Sequence, residues 1–189
     1  GVDFLSIAGH KLYAPKGVGA LYIRKGIDIE PFIHGAGHEF GKRAGTENVA
    51  SIVGLGMACE IAYREMKEYM PKIVRLRNLL HEGILSITGD IVLNGHPEKR
   101  LPNTLNISFL HRSGAEMLSQ LPGVAASTGA ACHDRTVKLS ATLEAIGADT
   151  ERGRGAIRFS LGRFTTEEEI KSVLAMLNLS IGRANFGQY

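Results

Sequence analysis

Four segments carry side chains that could do covalent or ionic chemistry. The first is Ser6-Ile7-Ala8-Gly9-His10-Lys11, where a lysine follows directly on a hydrophobic run. A lysine at the end of a strand stands where α/β folds place their sites. Partial desolvation and a neighbouring cation lower the pKa of such an amine, as imine formation requires. The plainer alternative is a solvated loop lysine. The second segment runs from His34 to Asn48, with His34-Gly35-Ala36-Gly37-His38-Glu39 followed by Arg43-Ala44-Gly45-Thr46-Glu47-Asn48. Its glycines let backbone amides approach an anion, and Thr46 at a helix start would welcome a phosphate. An ordinary capped helix explains the same residues. His34 and His38 lack a third ligand of clear spacing, so the sequence predicts no metal site.

The third segment, Ala126-Ser127-Thr128-Gly129-Ala130-Ala131-Cys132-His133-Asp134-Arg135, is built of small residues around a thiol. Such a composition predicts a mobile loop. A thiol beside His133 and Arg135 would be partly ionised, and the thiolate is the nucleophile. The alternative is a surface cysteine. Cys59, the only other cysteine, lies in an apolar helical stretch and is expected to be inert core. The fourth segment, Ile157-Arg158-Phe159-Ser160-Leu161-Gly162-Arg163-Phe164, alternates as a strand. The planar fork of Arg158 suits a carboxylate, although a structural salt bridge would use it equally well.

These residues need elements to position them. The sequence predicts a buried strand over 2–7 and a second over 19–23. A helix is expected from Asn48 to about Met70, broken or restarted by Pro71. Ile73, Leu76, Leu80 and Ile84 mark a further amphipathic helix. Leu105-Asn106-Ile107-Ser108-Phe109 alternates as a half-buried strand. Short helices are expected over 113–120 and 138–146, and strands over 124–127 and 156–161. Thr166 and Glu169 form a capping box before a helix striped by Ile170, Val173, Leu174, Leu177 and Ile181. The pattern is α/β or α+β, with a domain boundary near Tyr69 to Pro71.

The totals narrow the function. Apolar residues are 44% of 189, enough for a sizeable core. A net charge of +3, from 22 basic and 19 acidic residues, argues for neither nucleic acid nor membrane partners. Two distant cysteines make no disulfide framework and fit a reducing cytoplasm.

The run from Gly9 to Tyr22 resembles the cofactor-lysine segment of the class V aminotransferase superfamily. In particular it is similar to that of the NifS/IscS-type cysteine desulfurases and the selenocysteine lyases. The resemblance implies fold type I of the pyridoxal-phosphate enzymes, in truncated form. Residues 1–70 would be the end of the large cofactor-binding domain, and 71–189 the small C-terminal domain. It implies that Lys11 holds pyridoxal 5'-phosphate covalently and that His10 contacts its phosphate. Many desulfurases carry serine two residues before that histidine; Ala8 stands there, so one phosphate contact is lost. Thr46 is implied to bind the phosphate of the cofactor in the partner of a homodimer, with Arg43 ordering the interface. The Cys132 loop resembles the persulfide-forming loop of the family, and its Gly-Ala-Ala-Cys-His form looks like that of selenocysteine lyases. Arg158 is implied to grip the α-carboxylate of the amino-acid substrate, with Arg163 in support.

The activity implied is removal of sulfur or selenium from L-cysteine or L-selenocysteine to give L-alanine, with a sulfur or selenium acceptor protein downstream, as in iron–sulfur cluster assembly. The resemblance covers the later part of the family's chain. The N-terminal half is therefore expected as a missing partner, and the 189 residues alone are expected to show little turnover. Two alternatives stand beside this reading. One is a related aminotransferase that needs no thiol. The other is an inactive chain serving as scaffold or sulfur acceptor.

Overall fold

Strand β4 (Thr104–Phe109) sets the architecture of the C-terminal part. Its odd-numbered residues Leu105, Ile107 and Phe109 are all but fully buried, whereas Thr104 and Asn106 are half-buried. That period of two divides the strand into an apolar and a polar face. The computed structural model describes residues 1–128, 130–133 and 136–185, with the backbone alone at 130–133, 136–138 and 183–185. The chain divides into two compact units, Gly1–Lys67 and Glu68–Tyr189.

In the first unit, β1 (Phe4–Ala8) and β2 (Gly19–Ile23) pair antiparallel, from Phe4 opposite Ile23 to Ala8 opposite Gly19. A 3-10 turn, Gly9–Leu12, follows β1, and Gly9 N–H donates to Val18 O at 2.9 Å to extend the ribbon. The two strands were expected, but not their exposure. Phe4, Leu5, Leu21 and Tyr22 are each about half exposed. A two-stranded ribbon has no neighbouring strand within its unit to cover it. Phe32 and Phe40, in the loop beyond β2, are almost wholly exposed.

Helix α1 runs unbroken from Val49 to Ile87 with Pro71 inside it, which corrects the expected break. Proline removes one amide, so the carbonyl of Lys67 loses its partner while the flanking bonds persist. The division between the two units falls at that residue. The helix starts later than the sequence suggests. Asn48 is the cap, its Oδ1 accepting from Ser51 N at 3.3 Å, so Thr46 lies in the loop before it. Cys59 is exposed on α1, which corrects its assignment to the core.

The second unit is a four-stranded antiparallel sheet in the order β3-β4-β8-β5, where β3 is Ile91–Leu93, β5 is Ser127–Thr128 and β8 is Ala156–Ser160. Its apolar face is covered by Ile73, Leu76, Leu80 and Ile84 of α1 and by Ile170, Leu177 and Ile181 of α5 (Glu167–Asn185). The short helix α2 (Gly114–Ser119) adds Met117. A Cβ at Gly83 would stand 2.6 Å from Leu174 Cδ2, so the glycine lets α5 settle close against α1. The capping box forms as expected: Glu169 N donates to Thr166 Oγ1 at 3.2 Å, and Thr166 N to Glu169 Oε2 at 2.9 Å.

Between β5 and β8 the elements differ from those expected. The strand expected over 124–127 shrinks to Ser127–Thr128. The expected mobile loop contains β6 (Ala130–His133), which pairs with β7 (Thr136–Leu139) as a separate two-stranded ribbon. The helix expected from Lys138 is only α3 (Ala141–Ala145), capped by Ser140, whose Oγ accepts from Leu143 N at 3.2 Å. A further helix, α4 (Thr150–Gly155), then packs on β4. A Cβ at Gly155 would collide with the Phe109 carbonyl oxygen, so only glycine permits this approach. Among the described residues, no helix is long and apolar enough to cross a membrane.

Charge placement makes one feature of α5 testable. The Glu167 carboxylate accepts from Arg75 NH1 at 2.7 Å and pairs with Lys171 Nζ at 2.9 Å, one turn along the helix. The Arg75 bond, then the Lys171 bond, hold the carboxyl at about 2, below its ordinary 4.5. A depressed carboxyl contributes its stability above the unfolded value and loses it as pH falls through the folded one. Glu167 should therefore titrate at about 2 by NMR, and Arg75→Ala should return it toward 4.5. Because the pair is at the surface, thermal stability should barely follow.

Candidate active site

Lys11 and His10 lie on the 3-10 turn Gly9–Leu12, and both are exposed. The turn is closed by Tyr13 in the left-handed region at φ 64° and by Ala14 N donating to Gly9 O at 3.1 Å. Pro15 then rests on α1: a Cβ at Gly54 would stand 3.0 Å from its Cδ. The lysine turn thus packs on the helix that follows Thr46.

Thr46 is exposed, between Gly45 at φ 101° and Glu47. Glu47 closes the loop. Its carboxylate pairs with His38, whose Nδ1 lies 2.9 and 3.0 Å from the two oxygens. Its own amide first and His38 second hold this carboxyl below the usual carboxylate range. Glu39, Phe40 and Gly41 all take left-handed φ values, 51°, 58° and 78°, which turn the chain back sharply. His38 is thereby spent on Glu47. Among the described residues, no three His, Cys, Asp or Glu side chains gather as a metal site would need. Arg43 NH1 donates to the Ala44 carbonyl at 3.2 Å.

Arg158 lies in β8 of the second unit, exposed on the polar face, and its NH2 donates to Ser127 Oγ at 3.3 Å. Among the described residues, no carboxylate holds it. Arg163 stacks on Phe164, its Cζ 4.7 Å from the ring centroid. Cys132 is opposite Val137 in the β6–β7 ribbon, and its side chain lies outside the described residues.

The expected residues thus form two groups: Lys11, His10 and Thr46 in the first unit, and Arg158 with the Cys132 segment in the second. Sequence reasoning missed the His38–Glu47 clasp and the Ser127 contact. It also missed the bonds linking Asn94, Asn106, Ser108 and Arg152 on the polar face. The available signal was Asn106 and Ser108, two polar residues at alternate positions of an otherwise apolar strand. Asn94 and Arg152 gave no signal.

The family model described as aminotransferase class-V matches residues 1–173. The cysteine desulfurase IscS of Dictyoglomus turgidum is 46% identical over 179 residues, which are 94% of this chain and 45% of that protein. The cysteine desulfurase IscS of Salmonella typhi is 47% identical over 184 residues, covering 96% and 45%. The chain therefore spans about half the length of the curated relatives it matches. Among solved structures, a NifS-like protein superposes with a TM-score of 0.86 at 38% identity, over 96% of this chain and 47% of its own. A NifS-like protein from Rickettsia africae gives 0.86 at 28% identity, over 96% and 48%. The α/β fold is that of the NifS-like enzymes, represented over about half their length. With a family match that takes in the lysine turn, the threonine loop, the thiol segment and the arginine strand alike, the chain belongs to the class-V aminotransferases, among relatives of the NifS/IscS cysteine desulfurase type.

Proposed function

We propose that this chain supplies the cofactor lysine, the acceptor thiol and the carboxylate-binding arginine of an enzyme that removes sulfur or selenium from L-cysteine or L-selenocysteine to give L-alanine. One observation carries the reading. Arg158 is displayed on an open polar sheet face and is tied to Ser127, on the strand that leads into the Cys132 segment. A residue suited to gripping an amino-acid carboxylate is thereby joined to the chain that delivers a thiol.

The donor set of the first unit fits pyridoxal 5'-phosphate. Lys11 offers a primary amine on a short closed turn. His10 and the Thr46 hydroxyl offer donors to a phosphate, and Gly45 frees the backbone beside Thr46. Bound there, the cofactor supplies an electron sink for the substrate α-carbon. Lys11 Nζ holds it, then takes the proton from the substrate Cα. Arg158 orients the substrate by its carboxylate. Cys132 Sγ attacks the substrate sulfur or selenium, forming an S–S or S–Se bond as the substrate Cβ–S or Cβ–Se bond breaks, and the thiol proton passes to Cβ. Alanine leaves with a proton returned from Lys11.

Residues 1–70 belong on this reading to the end of a large cofactor domain, and 71–189 to a small one. The enzyme is a cytoplasmic homodimer in which Thr46 serves the partner's cofactor, and an acceptor protein takes the chalcogen. The N-terminal half of the family's fold is a required partner, so turnover belongs to the native protein rather than to these 189 residues alone. The test is alanine release from both amino acids by the native protein carrying this chain. With a dithiol added to reduce the chalcogen carried on Cys132, alanine should appear in step with sulfide or selenide. Keto-acid formation without chalcogen release would overturn the reading.

A further inference from the structure

The polar face of the second unit's sheet has an order of its own. Thr104, Asn106 and Ser108 of β4 face it, opposite Ser160, Arg158 and Ala156 of β8. A chain of hydrogen bonds enters this face from α4. Arg152 NH2 donates to Asn94 Oδ1 at 2.9 Å. A guanidinium has no acceptor, so it fixes the Asn94 carbonyl oxygen toward itself. Asn94 Nδ2 must then be the donor to Asn106 Oδ1 at 3.0 Å and to Ser108 Oγ at 2.7 Å. The oxygen of Asn106 is therefore committed. Its NH2 group has no hydrogen-bond partner among the described residues.

Asn106 is the direct cross-strand partner of Arg158, and Ser127 is the partner on the other side. Cross-strand partners put their side chains on the same face of a sheet. The sheet's own hydrogen bonding does not use the Asn106 donor. Ser108 and Asn94 are buried at the α4 end of the network, whereas Arg158 is exposed at the other end. A polar network satisfied at its buried end and open at its exposed end is arranged to present its last donor outward.

We propose that Asn106 is a second carboxylate-binding residue. Its Nδ2 donates to one oxygen of the α-carboxylate that Arg158 grips, with Asn94 and Arg152 as positioning residues that hold the NH2 group outward. This rests on the amino-acid substrate proposed above and adds a determinant of specificity. Two neutral-amide protons beside a guanidinium accept a free carboxylate and reject an ammonium. Amino acids whose α-carboxyl is blocked as an amide are excluded.

The test uses L-alanine, the product, as an unreactive carboxylate probe. In the native protein labelled with nitrogen-15, L-alanine should shift the side-chain NH2 signals of Asn106 and the Nε–H signal of Arg158. L-Alaninamide should shift neither. Asn106→Asp keeps the oxygen that accepts from Asn94 and replaces the donor with an anion. It should raise KM for L-cysteine about 100-fold with kcat within about twofold, and Asn106→Ala should raise it about 10-fold. Arg152→Met, which frees the Asn94 amide to flip, should raise KM more modestly and broaden the Asn106 NH2 signals. If L-alanine shifts Arg158 but not Asn106, and Asn106→Asp leaves KM unchanged, this inference is overturned while the carboxylate role of Arg158 stands. If L-alanine shifts neither residue and Arg158→Ala leaves KM unchanged, the substrate reading falls with it.

Discussion

Lys11→Ala should abolish covalent capture of pyridoxal phosphate and lower alanine release by about 10³-fold or more. The amine has two duties on the proposed route, holding the cofactor and moving the Cα proton, and alanine can do neither. Lys11→Arg should fail equally, because a guanidinium stays charged and is no nucleophile at working pH. The measurement is borohydride reduction followed by peptide mass mapping. The reduced adduct should map to the peptide containing Lys11 and vanish in both variants. Lys16 sits on the same loop before β2 and is also exposed, so it is the natural competitor. An adduct that maps to Lys16, or survives Lys11→Ala with activity intact, would remove Lys11 from the chemistry.

Cys132→Ala should leave that adduct in place while chalcogen release falls on the order of 100-fold. The substitution deletes the atom that accepts sulfur and nothing that holds the cofactor. Wild-type protein given L-cysteine should gain the mass of one sulfur atom on the peptide containing Cys132, and the variant should not. Residual turnover in the variant should depend on added small-molecule thiol, which takes the sulfur from solution instead. The experiment also separates the desulfurase from a thiol-independent aminotransferase. In an aminotransferase, amino-group transfer to a keto acid would continue unchanged in Cys132→Ala, and no persulfide would form in either protein. Exposed Cys59 provides the internal control, since Cys59→Ala should alter neither measurement.

What was legible in the sequence followed from local rules. Leu105, Ile107 and Phe109 alternate, so β4 and its buried face could be read directly. The Thr166–Glu169 capping box announced α5 because both of its bonds lie within one turn of helix. The misreadings occur where tertiary context decides. Pro71 looks like a break, yet one lost amide does not outweigh the packing of Ile73, Leu76 and Leu80 beyond it. Helix α4 has no clear signature in the sequence because Gly153 and Gly155 are poor helix formers. At Gly155 the Phe109 carbonyl approaches too closely for any side chain. The β6–β7 ribbon has too many small residues to show alternation. Burial of β1 was misjudged because an apolar run signals a need for cover, not its source.

The candidate site shows the same division. Lys11, His10, Thr46, Cys132 and Arg158 could be named from their neighbours in sequence. The contacts that orient them could not. His38 and Glu47 meet only because Glu39, Phe40 and Gly41 fold the chain back. Asn94, Asn106 and Arg158 become neighbours only once β3, β4 and β8 are laid side by side.

The contact between Gly155 and the Phe109 carbonyl limits how this protein can be hardened against heat. Replacing glycines with alanine is a common route to thermal resistance, because it restricts the unfolded chain. At Gly155 that route is closed, since the new methyl group would pry the small helix off its strand. Evolution or engineering toward hotter conditions must then find its gains elsewhere, leaving this seam as it is.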